Sequence, residues 1–91
     1  MENKVLIKLI VPEINNEFDV FIPVNEVIWK VKKLIIKSIS DLTNIDLDLK
    51  DSYCLINKCN SKIYDNNEIV INTDIRNASE LVLISLNSSI I

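Results

Sequence analysis

The chain contains no glycine and no histidine. Phosphate-cradling loops of the Walker and dinucleotide kinds bring the backbone up against the phosphates, which takes glycine, so neither kind of nucleotide site is expected. The missing histidine removes the commonest general base and metal ligand, which argues against an enzyme. Cysteine is limited to Cys54 and Cys59. Two thiols cannot make a four-thiolate iron–sulfur cluster and, without histidine, cannot complete a structural zinc site, so no cofactor is expected. No run of 18 apolar residues occurs and the first residues lack a charged region followed by a hydrophobic one, so we expect neither direct membrane insertion nor a signal peptide. A cytoplasmic location with reduced thiols is expected. Ten basic residues face thirteen acidic ones, a net charge of −3. That balance argues against nucleic acid, whose binding draws most of its affinity from phosphate neutralisation.

What is present is 91 residues of 48% hydrophobic content, enough for one domain that folds without staples. Residues 4–11 (KVLIKLIV) alternate, with Val5, Ile7, Leu9 and Val11 on one face, and read as a strand. Residues 12–17 (PEINNE) read as a turn, because Pro fixes φ and Asn tolerates the left-handed region. Phe18, Val20 and Ile22 resume the alternation and complete a hairpin. After Pro23 the period changes: at about 100° per residue Ile28, Val31, Ile35, Ile39 and Leu42 share a stripe, with Val27 and Leu34 at its edge. This predicts one helix from about residue 26 to about residue 42, with Asn25 as N-cap and Glu26 favoured by the macrodipole. Beyond an acidic linker the chain returns to strands at residues 53–57 and 80–86, with a brief pairing around residues 62–64. Between these lies a looped segment, residues 65–78, anchored by Ile69, Ile71 and Ile75 and holding at most one helical turn. The predicted core is Val5, Ile7, Leu9, Val20, Ile28, Val31, Ile35, Leu81 and Leu83.

Several constellations could carry chemistry. Cys54 and Cys59 share the spacing of the first pair in a plant-type iron–sulfur loop, but lack the second pair. Asp46, Asp48 and Asp51 resemble part of a calcium loop without its turn-forming glycine or closing glutamate, and read as a solvated linker. Lys30, Lys32, Lys33 and Lys37 read as a hydrated helix face or, alternatively, as a seat for an anion or acidic partner. Trp29 and Ile36 project together away from the buried stripe; either they form a sticky flank or residues 65–78 cover them. On the sheet, strand alternation sends Leu6, Ile10, Val82 and Ile84 away from the helix, giving an apolar outer face relieved by Lys4, Lys8, Glu80 and Ser85. Trp29, Ile36, Leu6, Ile10, Val82 and Ile84, together with Ile56, are the candidate interface set.

The element order, with residues 55–58 (LINK), 62–65 (KIYD) and 75–83 (IRNASELVL), resembles ubiquitin and its β-grasp relatives over nearly the whole chain. The resemblance implies an α+β fold: a mixed sheet of four or five strands in the order 2-1-5-3-4, one long helix across one face, a single domain over residues 1–87 and a short tail over 88–91. Ubiquitin's recognition patch would fall on Ile56 and Ile84. The chain ends NSSII, whereas conjugation and sulfur transfer by this fold require a Gly-Gly terminus, so a covalent modifier is not expected. The opening stretches IKLIVP (7–12) and EFDVFIP (17–23), leading into the helix, resemble the YukD/EsaB family of Gram-positive type VII secretion systems. That likeness implies a non-catalytic accessory or regulatory protein that binds a secretion-machine component. The alternative is a ubiquitin-like adaptor in an unrelated cytosolic pathway.

The cysteine reading generates a test. Replacing Cys54 and Cys59 together by Ser leaves folding and partner binding unchanged, and purified protein carries no stoichiometric zinc or iron. Loss of binding in the double variant, or metal at one equivalent, contradicts it.

Overall fold

Alternation and periodicity become four strands and one helix in the computed structural model, which describes residues 3–45, 47 and 52–86. The strands are β1 (Lys4–Val11), β2 (Asn16–Pro23), β3 (Tyr53–Asn57) and β4 (Glu80–Ser85), and the helix α1 spans Ile28–Thr43. The expectations about Asp46, Asp48 and Asp51 and about the tail lie outside the described residues.

β1 and β2 form the antiparallel hairpin through a 3-10 turn at Pro12–Ile14. Asn15 closes that turn in the left-handed region at φ 52°, its N–H donating to Pro12 at 3.0 Å. β4 returns to lie parallel to β1 (Lys8 beside Glu80, Leu9 beside Leu81, Ile10 beside Val82), and β3 pairs antiparallel with β4. The sheet order is therefore β2-β1-β4-β3. The expected short strand near residue 63 shrinks to one bridge between Ile56 and Ile63, flanked by Asn57 N–H to Lys62 O (2.8 Å) and Tyr64 N–H to Leu55 O (3.1 Å). Apart from that contraction, the strand order is the one expected. One helix on a mixed sheet whose first and last strands are parallel neighbours is the ubiquitin-like β-grasp fold.

α1 packs on the sheet through Ile28, Val31, Ile35 and Ile39, which meet Ile7, Leu9, Val11, Ile22, Leu55, Leu81 and Leu83 in one buried cluster. Val5 and Val20 pack only partly against it, Val20 because β2 is an edge strand. Burial along the helix ends at Ile39: its last turn carries Leu42 into solvent, 70% exposed, and closes on Asn44 in the left-handed region. The expected Asn25 cap is not used. Val27 holds the N-cap position without a side-chain bond, and backbone carbonyls of a distant loop accept instead: Ile28 N–H donates to Glu68 O at 2.8 Å and Trp29 N–H to Asn66 O at 3.2 Å. In that loop Val70 and Ile75 are buried, whereas Ile71, expected as an anchor, is exposed, because a 3-10 turn at Val70–Asn72 rotates it outward.

The packing sets unequal costs along one helix. Ile35→Ala removes a fully buried side chain and lowers stability by about 2–5 kcal/mol, a fall in melting temperature of at least about 8 °C for a domain of this size. Leu42→Ala shifts it by less than about 4 °C. Thermal melts of the two variants that come out equal overturn the assigned helix face.

Candidate functional site

The face of the sheet turned away from α1 is built in rows, because paired residues on neighbouring strands project together. One row runs Glu17, Ile10, Val82, Ile56 and on to Ile63 through the bridge. Beside it, Cys54 pairs with Ile84. Ile10, Val82, Ile56 and Cys54 are half-buried and Ile84 is 38% exposed, so four aliphatic side chains from three strands make a continuous apolar tract.

Leu6 stands apart from that tract. The row between them is charged: Asp19, Lys8 and Glu80 lie side by side, with Lys8 paired to Glu17 at 3.6 Å and Lys58 to Glu80 at 3.2 Å. Across the charged row Leu6 pairs with Phe21, which is 65% exposed. Sequence reasoning missed Phe21, although the alternation that turns Val20 and Ile22 inward sends it outward. Of the five sheet residues expected on this face, Ile10, Ile56, Val82 and Ile84 are brought together. Leu6 forms a second, smaller apolar spot with Phe21.

The helix flank divides. Trp29 is 40% exposed, but Ile36 is 3% exposed and belongs to the core cluster with Tyr53 and Tyr64. Its proposed surface role is therefore corrected: residues from β3 and from the loop after it cover the flank beyond the first turn. Trp29 and Ile36 meet only at a cleft of about 430 Å³ between α1 and β3. There the Lys32 ammonium donates to Tyr53 O at 2.7 Å, and burial pushes its pKa down.

Tyr64 ties this region together. Its hydroxyl donates to the Asp74 carboxylate and accepts from Asn57 Nδ2 at 3.1 Å, while Asn60 Nδ2 donates to the other Asp74 oxygen at 3.1 Å. Burial, and then the Asp74 bond, push Tyr64 up to about 12, while the Tyr64 bond holds Asp74 below the usual carboxylate range. Among the described residues no three His, Cys, Asp or Glu side chains are gathered as a metal site, and no helix is long and apolar enough to cross a membrane.

No family model and no curated protein matches the sequence. Solved structures do, and they place the chain in the ubiquitin-like fold class. A chain of the MycP5-free ESX-5 inner membrane complex superposes with a TM-score of 0.75 at 10% identity over 98% of this chain. The present chain spans about a quarter, 24%, of that one. The N-terminal ubiquitin-like domain of the 4931431F19Rik protein matches with a TM-score of 0.73 at 17% identity, over 98% of this chain and 81% of that one. The EccD5 ubiquitin-like domain from Mycobacterium xenopi matches with a TM-score of 0.68 at 12% identity, over 96% and 99%. At these identities the likeness is one of fold.

The tyrosine network predicts an alkaline effect with a definite sign. An unfolded tyrosine releases its proton near pH 10, whereas folded Tyr64 keeps it to about 12. Stability is therefore unaffected below pH 10 and falls as pH climbs towards 12. Asp74, shifted down, contributes above its unfolded pKa and loses that contribution as pH falls through the lower folded value. Denaturation of wild type and Tyr64→Phe across pH 9 to 12 should show the steeper decline in wild type, and equal slopes contradict the network.

Proposed function

We propose that this chain is a non-catalytic protein-binding module, an accessory or regulatory component of a type VII secretion apparatus acting on its cytoplasmic side, as its resemblance to the YukD/EsaB family implies. The observation that carries the reading is the tract of Ile10, Val82, Ile56 and Ile84 across three strands. Such a tract is laid out for a partner protein: apolar at its centre, with the Lys8, Asp19, Glu80 and Lys58 charges as a rim that sets orientation. The likeness to the EccD5 domain and to a chain of the ESX-5 complex supports a secretion context over other ubiquitin-like roles. The second reading is a ubiquitin-like adaptor in an unrelated cytosolic pathway; the likeness to the 4931431F19Rik ubiquitin-like domain supports it as to fold.

Ile84→Glu and Ile56→Lys, made in the full chain, are expected to keep the circular dichroism spectrum and the melting temperature. They should weaken binding to a purified component of the host's own type VII apparatus tenfold or more, about 1.4 kcal/mol. Folded variants that bind as wild type remove the sheet face from the reading. A wild-type chain that binds no secretion component but captures a different cytosolic partner through the same residues favours the adaptor.

A further inference from the structure

The molecule is electrically lopsided. α1 carries Lys30, Lys32, Lys33 and Lys37 against a single acid, Asp41, in a chain of net charge −3. Elsewhere Lys8, Lys58 and Lys62 are each paired with a glutamate at 3.2–3.6 Å. Among the described residues Lys30, Lys33 and Lys37 have no carboxylate partner. Two of these three ammonium groups are held by an aromatic ring: Lys33 Nζ lies 5.1 Å and Lys30 Nζ 5.6 Å from the centroid of Trp29.

That cationic ring system stands at the mouth of the cleft between α1 and β3, whose walls include Trp29, Ile36, Tyr64 and Leu86. Apolar side chains share the lining with Ser52 and Asn66, Lys32 and Lys33 stand on the α1 side, and Asp65 is the acid among the lining residues. Lys32 is turned inward to the Tyr53 carbonyl, which leaves Lys33 on the cleft wall, and Lys30 beside it on the Trp29 ring, for a ligand. We infer that this cleft is a second docking site, which takes an acidic polypeptide segment carrying one or two apolar side chains at its centre. Charge complementarity selects carboxylates for the rim, and a cleft of about 430 Å³ has room for a side chain or two but not for a folded surface. A flat anionic bilayer meets the lysines but cannot fill the concavity. Nucleic acid is disfavoured by the net negative charge and the single arginine. The site adjoins the outer sheet face, sharing Cys54 with it, and the proposal does not rest on the function proposed for that face.

Trp29 is the chain's one tryptophan, so its emission reports on the cleft directly. The probe is a short peptide of Asp and Glu flanking a Leu-Phe pair, titrated into the full chain. Saturable quenching with a spectral shift is expected. Affinity should fall at least tenfold in the double variant Lys30→Glu, Lys33→Glu, and fall comparably when salt rises from about 50 to about 300 mM, where exposed charges are screened. Exchanging the peptide's Leu-Phe pair for Ser-Ser should weaken it to a similar degree, and Ile84→Glu should leave it unchanged. Both lysines are exposed, so their reversal leaves the fold intact by circular dichroism. No spectral change with the peptide overturns the proposal, as does binding indifferent to the lysine reversals or to the apolar pair. A response to phosphatidylglycerol vesicles but not to the peptide assigns the face to membranes and also overturns it.

Discussion

The parallel pairing of β1 with β4 is the contact on which the rest of the structure depends. It joins two strands separated by nearly the whole chain through three residue pairs. In doing so it puts Leu9 and Leu81 under the helix and Ile10 and Val82 on the opposite face. Because strand side chains alternate with period two, a slip of one residue would exchange these sets, exposing the core floor and burying the apolar tract. The register is pinned from outside the ladder as well: Ala78 N–H donates to Leu6 O at 2.8 Å, Lys8 N–H to Ser79 O at 2.9 Å, and Leu6 N–H to Asn77 Oδ1 at 2.9 Å. Candidate site and hydrophobic core are two readings of the same pairing.

The second organiser is the loop between Tyr64 and Ser79, which has little regular structure but carries much of the tertiary hydrogen bonding. It supplies the carbonyls that receive the first N–H groups of α1. It also runs beside residues 24–27 through Val70 N–H to Glu26 O (3.0 Å), Ile71 N–H to Val24 O (2.8 Å) and the Val27–Ile69 bridge. Val70 and Ile75 seal the core from that side. The helix start is thus satisfied by tertiary contacts rather than by a local side chain, which is why Asn25 contributes no cap.

That distinction explains what could be read beforehand. Period two and period 3.6 are local, so the hairpin, the helix, the final strand and the outward set Ile10, Ile56, Val82 and Ile84 were legible from residue spacing. Ile36 was not, because its burial depends on Tyr53 and Tyr64, residues brought over it only by the complete fold. Phe21 was legible in principle, since its neighbours Val20 and Ile22 turn inward. The fifth strand was over-read: the segment around Ile63 has β-forming residues, but turns on both sides leave it room for one bridge. The cation-lined cleft joins a helix face to a strand distant in sequence, so its lysines were visible as a run and its concavity was not.

Four left-handed residues among those described carry a thermodynamic consequence. Asn15, Asn44, Ser61 and Ala78 have φ between 52° and 72°, positions that a glycine would occupy without steric penalty. A side chain there strains the native backbone by about 1 kcal/mol or more, least for Asn and most for Ala78. The same side chain restricts the unfolded chain, returning about 0.4–1 kcal/mol per position. Across a polypeptide with no glycine anywhere, part of the folded state's advantage therefore resides in the poverty of its competitor: a denatured ensemble with fewer conformations to lose.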